Sequence, residues 1–310
     1  MARVPIEIVD AFAERPFTGN PAAIVPDAAG LSERLMLQVA DELRMEAGFV
    51  LPPASAAADL RLRFFTPRRE AMLSGHVLVA ALVCLAERGR LPAGPQPAPL
   101  TVETGRGLLA ASVARAASGP VQVSFDLPLP RFGEPVPSEE VAAALGLAPA
   151  ALRLGDHRPQ RVSCGFDVLV VPIVDRTAAR GTVTAMEPVR RLADRLGVGG
   201  LACFCPETSA PGVDLFCRFF HPSEGMDEDV ASGTSLGAVA AYCLEQGVLP
   251  RAPQVRVVTE QGHLLGRPTR AIVEAELAGR RIARIGLTAA GAVVMRGEFG
   301  IEARASGAHG

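Results

Sequence analysis

Leu60-Arg61-Leu62-Arg63-Phe64-Phe65 alternates apolar with polar positions, the period of a half-buried strand. Two other stretches have no polar face: Val77 to Ala86 and Thr234 to Leu244 carry no charged residue. A helix that is apolar all round is a buried one, so both are predicted as central helices. Each follows a Ser-Gly pair, Ser74-Gly75 or Ser232-Gly233, and each runs into a glycine, Gly89 or Gly247. The serines are expected to cap the helices and the glycines to end them.

The surroundings of these helices repeat as well. Arg63-Phe64-Phe65-Thr66-Pro67 precedes the first, and Arg218-Phe219-Phe220-His221-Pro222 precedes the second, three residues further upstream. Glu87 and Glu245, Gly89 and Gly247, Pro92 and Pro250 stand at matching distances after the two serines. Gly107-Leu108-Leu109 is echoed by Gly262-His263-Leu264-Leu265. An offset of about 158 residues is too long for a solenoid repeat and suits a duplicated domain.

Further strands are expected at 4–10, 22–25, 47–51, 100–104, 108–113, 121–127, 168–174, 201–205, 215–220, 255–259, 271–277, 282–287 and 292–299. Helices are expected at 33–43, capped by Ser32, at 138–145, capped by Ser138 and stopped by Gly146, and at 187–196. The pattern predicts an α+β protein of two pseudo-symmetric domains, each a mostly antiparallel sheet wrapped around a buried central helix. Ala116 to Pro120 reads as the linker, which gives domains 1–117 and 118–287, with a strand in 288–305 able to return to the first. Related by a pseudo-twofold axis, the two helix starts would meet at one cleft. A helix start presents unpaired N–H groups and the positive end of its dipole, a setting for a carboxylate or phosphate.

Composition narrows the function. The 310 residues carry a net charge of −2, and all 31 basic residues are Arg. With no basic tract, nucleic acid is not an expected partner. No run of about 18 apolar residues suggests a membrane span, and the N-terminus does not read as a signal peptide, so a cytoplasmic protein is expected. The six cysteines lack zinc-site spacing and read as structural thiols, with no metal expected.

Three titratable residues belong to the repeat or its approach. His76 follows Ser74-Gly75, Asp229 precedes Ser232-Gly233-Thr234, and Glu46 lies at the junction between helix 33–43 and an apolar strand. A carboxylate at the mouth of a buried strand suits a desolvated general base. Asn20, between Gly19 and Pro21, reads as a turn residue whose amide is also able to meet a ligand.

The chain resembles the PhzF-like (phenazine biosynthesis) family, within the diaminopimelate-epimerase fold superfamily. The resemblance is carried in order by Val9-Asp10-Ala11-Phe12, Phe17-Thr18-Gly19-Asn20-Pro21, Phe65-Thr66-Pro67, Gly75-His76, Arg218-Phe219-Phe220, Glu228-Asp229, Ser232-Gly233-Thr234, Gln261-Gly262 and Gly297-Glu298. It implies a homodimeric isomerase without metal or cofactor, moving a proton on a small carboxylate substrate by acid–base catalysis. By position, Glu46 resembles the family's catalytic glutamate, His76 its cleft histidine and Asp229 its substrate-binding aspartate, while Gly75, Gly233 and Thr234 match its ligand-cradling turns. The expected site is therefore catalytic Glu46, His76 and Asp229, with Asn20, Ser74, Gly75, Ser232, Gly233 and Thr234 binding the substrate. Met45, Ala47 and Val230-Ala231 depart from the common pattern, which has a serine before the glutamate; the change at 45 removes a hydroxyl that would meet the family's substrate, trans-2,3-dihydro-3-hydroxyanthranilate. The superfamily's racemases also resemble the chain but place two cysteines at the turns, where Ser74 and Ser232 stand here. Isomerisation is the expected chemistry; epimerisation or dehydration of a hydroxy or amino acid, and a non-catalytic binding module, are the alternatives.

Overall fold

A computed structural model describes residues 2–181, 185–222 and 227–301. The chain forms two compact units. The first takes the described parts of Met1–Phe17, Pro21–Val123 and Ala290–Gly310, and the second takes Thr18–Asn20 and the described parts of Ser124–Ala289.

In chain order the first unit contains β1 (Ala2–Ala11), most of β2 (Asn20–Val25), α1 (Glu33–Leu43), β3 (Ala47–Leu51) and β4 (Leu60–Phe65). The short β5 (Glu70–Ala71), α2 (Gly75–Glu87), β6 (Ala98–Thr104) and β7 (Gly107–Arg115) follow. β8 (Val121–Asp126) passes into the second unit. That unit holds β9 (Arg131–Pro135), α3 (Ser138–Ala144), β10 (Gln160–Ser163), β11 (Asp167–Pro172), α4 (Arg176–Arg180) and α5 (Met186–Leu196). After these come β12 (Leu201–Cys205), β13 (Leu215–Phe220), α6 (Gly233–Gln246), β14 (Gln254–Gln261), β15 (Thr269–Ala278) and the first part of β16 (Arg281–Ile301).

The strand pairings follow the same sequence in both units. β2 and β3 are parallel, β3 and β4 antiparallel, β4 and β6 parallel, β6 and β7 antiparallel. Likewise β11 and β12 are parallel, β12 and β13 antiparallel, β13 and β14 parallel, β14 and β15 antiparallel. In the first unit α2 packs on β1, β3 and β7, and Val77 to Ala86 is buried without a break. In the second, α6 packs on β10, β11, β12 and β15, with Ser235 to Leu244 buried. Each large apolar side chain so covered contributes about 1.5–3 kcal/mol against the entropy of ordering the chain.

Helix α1 lays Met36, Val39 and Ala40 on a cluster that includes Phe49 and Phe65, whose rings meet edge to face at 5.4 Å. Ser32 caps α1 as expected, and Arg44 ends it at φ 52°.

Several local expectations are corrected. Residues 282–299 are one strand rather than two: β16 pairs with β15 through Ala289 and with β1 from Gly291 onward, so the small residues between are a change of partner and not a break. Residues 302–305 of the expected returning segment lie outside the described residues. The proline-rich stretch after β8 contains β9, whose Pro135 is tolerated because β9 ends the strand order. Ser138 is the first residue of α3 and not its cap; Pro137 precedes it with no side-chain bond to the helix. All six cysteines are buried and unbridged. Among the described residues no helix is long and apolar enough to cross a membrane.

Candidate active site

In the first unit the chain brings Glu46, Ser74, Gly75 and His76 together. Glu46 occupies the two-residue gap between Arg44 and β3, and its carbonyl accepts from the Ala23 N–H at 3.0 Å, which ties it to β2. Ser74 immediately precedes α2, and its carbonyl accepts the first helical bond, from Leu78 N–H at 2.9 Å. Its hydroxyl does not cap the helix, which corrects the sequence expectation. Instead it donates to Glu46 Oε2 at 2.7 Å and lies 3.2 Å from His76 Nδ1. The carboxylate explains the change: the charge-assisted bond that the hydroxyl donates to Glu46 fixes a side-chain orientation in which it does not accept from the helix N–H groups. His76 Nε2 stands 3.9 Å from Glu46 Oε2, beyond hydrogen-bond reach. Met45 turns the other way and packs against the cluster around Phe49, so the hydroxyl beside Glu46 comes from Ser74.

The close approach of β3 to α2 holds these groups in register. A Cβ at Gly48 would lie 2.7 Å from Val77 Cγ1 and 3.1 Å from Ile24 Cδ1. Val77 is fully buried and β-branched, so it yields little. Gly48→Ala is therefore expected to cost about 1–3 kcal/mol by overpacking. It should also lower activity by moving the start of α2 away from Glu46. Urea unfolding measures the first effect; an unchanged midpoint would show that β3 and α2 have slack here.

Only 12% of the His76 side chain is exposed, and burial depresses its pKa against the opposing pull of the Glu46 charge. His76 is thus neutral at neutral pH. A depressed histidine adds no pH dependence while both folded and unfolded chains are neutral. Below the ordinary value of about 6.5 the unfolded chain gains a proton that folded His76 resists. Stability contributed by this site is therefore present above about 6.5 and falls as the solution is acidified toward the folded pKa. The difference in unfolding free energy between wild type and His76→Gln, followed by urea titration, should be flat above neutrality and shrink in acid. A flat difference throughout would show an ordinary histidine.

In the second unit Asn20, Asp229, Ser232, Gly233 and Thr234 gather at the start of α6. Asp229 N–H donates to Phe219 O at 2.8 Å, and the Asp229 carbonyl accepts from Gln261 Nε2 at 2.7 Å. Asp229 Oδ1 accepts from Asn20 Nδ2 at 2.9 Å and from Ala231 N–H at 3.3 Å. Asn20 also donates to Ala231 O at 2.9 Å. Asn20 therefore opens β2 as a buried strand residue whose amide hydrogen-bonds Asp229, rather than standing in a turn. Ser232 caps α6 by accepting from Ser235 N–H at 3.4 Å, and its hydroxyl lies 3.3 Å from that of Thr234. Gly247 ends the helix at φ 75°.

A buried ion pair supports this turn, and no role for it was drawn from the sequence. Arg218 donates through Nε and Nη2 to the two oxygens of Glu228, at 2.9 and 2.8 Å, and through Nη1 to Ala179 O. The available signal was Glu228 beside Asp229 and Arg218 in the repeated Arg-Phe-Phe. The same element in the first unit pairs Arg63 with Glu70 at 2.6 Å through the same two nitrogens. Each guanidinium also covers a phenylalanine ring, Arg63 over Phe65 and Arg218 over Phe220.

None of the buried thiols lies at either turn. Burial, with the Glu7 charge adding to it, pushes the thiol of Cys84 within α2 up to about 12. Among the described residues no group of three or more His, Cys, Asp or Glu side chains is placed to hold a metal ion.

Comparison with known proteins shows the family. A model of the PhzC-PhzF family, phenazine biosynthesis-like protein, matches residues 9–297. The trans-2,3-dihydro-3-hydroxyanthranilate isomerase of Pseudomonas aeruginosa is 28% identical over 94% of this chain and 97% of its own. The crystal structure of a Bacillus anthracis phenazine biosynthesis protein of the PhzF family superposes with a TM-score of 0.87 at 28% identity, covering 97% of this chain and 100% of that one. A hydroxyproline epimerase from Agrobacterium vitis shares the fold at 13% identity and a TM-score of 0.61, over 96% of this chain and 91% of that one.

Proposed function

Because this chain belongs to the phenazine biosynthesis-like (PhzC-PhzF) family and is an isomerase, we propose that it moves a proton between two positions of a small carboxylate substrate, with Glu46 as the general base. The observation that carries the reading is the hydrogen-bonded Glu46–Ser74–His76 group at the start of a wholly buried helix. Glu46 takes a proton from carbon, and the electron pair left behind delocalises toward the substrate's unsaturation. Glu46 then returns the proton to another carbon, so neither substrate nor enzyme changes oxidation state and the chemistry calls for no redox cofactor.

We assign neutral His76 and Asp229 to the polar groups of the substrate, and Gly75, Ser232, Gly233 and Thr234 to its carboxylate, which the helix starts favour electrostatically. Asn20 and Ser74 are then supporting groups, since they hydrogen-bond to protein side chains and backbone. The repeated order of strand pairings supports reading both units as copies of one fold, each a mixed sheet, with parallel and antiparallel pairs alternating, around its central helix. The family resemblance supports a cytoplasmic homodimer, which light scattering on the purified protein tests.

The first substrate to offer is trans-2,3-dihydro-3-hydroxyanthranilate, the compound named for the Pseudomonas relative. Proton NMR in D2O should show an isomerised product. Transfer of label from one carbon to another supports isomerisation, whereas exchange at a single carbon would replace it with epimerisation. No change in this compound, or in a panel of small carboxylates, overturns the proposal.

A further inference from the structure

We propose that Ser74 is a positioning residue that holds His76 in the Nδ1–H tautomer and so leaves Nε2 as a bare nitrogen, able to accept a hydrogen bond from a hydroxyl or amine of the substrate. This deepens the reading above and rests on it, because the proton count takes Glu46 as the ionised base; the tautomer itself is observed independently of activity.

The argument is one of counting protons along a short chain of contacts. As the base, Glu46 is a carboxylate, and a carboxylate accepts only. Ser74 Oγ lies 2.7 Å from Glu46 Oε2, so the hydroxyl proton must lie between them; two oxygens bearing only lone pairs would otherwise face each other. The hydroxyl has one proton. It cannot also donate to His76 Nδ1, 3.2 Å away, so that contact is a hydrogen bond only if Nδ1 carries the proton. The neutral ring that burial favours then has its lone pair on Nε2. At 3.9 Å from Glu46 Oε2, that nitrogen is too far to take up the carboxylate's remaining capacity.

The repeat supplies an internal control. Among the described residues, Ser232, at the matching position, has no bond to a glutamate; its hydroxyl caps α6 and meets Thr234 where Ser74 meets His76. The same serine therefore serves the backbone in one unit and a carboxylate–imidazole pair in the other. What differs is Glu46, which has placed its carboxylate where it competes for the Ser74 hydroxyl.

The test is a long-range proton–nitrogen correlation spectrum of the full-length enzyme labelled with 15N histidine, near neutral pH and without substrate. The His76 signals are assigned by their loss in His76→Gln. Wild type is expected to show a protonated Nδ1 and a bare Nε2. In Ser74→Ala the proton should move largely to Nε2, the tautomer free histidine prefers, while Ser74→Thr, which retains a hydroxyl, should keep the wild-type pattern. With an active substrate, Ser74→Ala should lower kcat/KM about 10-fold or more, with KM raised because Nε2–H then faces the substrate's donor, and Ser74→Thr should recover part of the loss. A wild-type spectrum with the proton on Nε2, or a Ser74→Ala spectrum identical to wild type, overturns the proposal. Should Ser74→Ala fail to fold, the wild-type spectrum alone decides. A protonated Nδ1 in a protein that moves no deuterium upholds this proposal and overturns the isomerase mechanism instead.

Discussion

Glu46→Gln is expected to lower kcat by about 10³-fold, within the span of general base catalysis, while ligand affinity stays within a few-fold. The amide has nearly the shape of the carboxylate, and its oxygen still accepts from the Ser74 hydroxyl, so the turn before α2 keeps its geometry. What it loses is the ability to take a proton from carbon. A fall in kcat with little change in KM is the signature of an interaction made only in the transition state. Glu46→Asp provides a second reading of the same site, because it keeps the charge but withdraws it by one methylene. Displacement of a reacting group by about 1 Å can cost about 10²-fold, so Asp should fall between wild type and Gln. Steady-state rates and calorimetric binding, run on all three proteins, separate the cases. A Gln variant with near wild-type turnover would remove Glu46 from the chemistry and return His76 or Asp229 to consideration as the base.

The buried helices were legible because burial erases the polar face, and ten consecutive apolar residues such as Val77 to Ala86 exceed the usual length of a buried strand. The repeat was legible for a similar reason: matching turns need matching serines and glycines. What the two copies do differently was not legible from spacing. Ser74 and Ser232 stand in the same motif, yet only the first meets a carboxylate, because Glu46 arrives from α1 and β3, some thirty positions upstream. Asn20 misled in the same way. Its neighbours Gly19 and Pro21 speak for a turn, while its partners, Asp229 and Ala231, lie on the far side of the sequence. Strand β16 was divided at Thr288 to Gly291 because small residues resemble punctuation, although pairing continues on either side with different partners. Local chemistry thus identified the turns, and long-range contacts decided which groups they serve.

Arg218→Met is expected to destabilise the protein by about 3–5 kcal/mol, since it leaves the Glu228 carboxylate buried without its bidentate partner. The Arg218 and Glu228 side chains are only 8% and 9% exposed, so water replaces little of what is lost. Arg63→Met removes the corresponding group of the first unit, where Glu70 and Glu33 are 37% and 68% exposed and are readily hydrated. That change should cost about 1 kcal/mol or less, as for surface pairs generally. Two residues in one sequence motif are therefore expected to differ several-fold in their effect on stability, and burial alone accounts for the difference. Adding Glu228→Gln to Arg218→Met should recover part of the loss, because a neutral amide is cheaper to bury than an unpaired charge. Activity should follow a different order: Glu228 adjoins Asp229, whose N–H is held by Phe219, the neighbour of Arg218 on β13. The double variant is thus expected to regain stability without regaining full turnover, a separation that urea titration and kinetics on the same samples would reveal. Equal losses for Arg218→Met and Arg63→Met would show instead that burial does not set the strength of this pair.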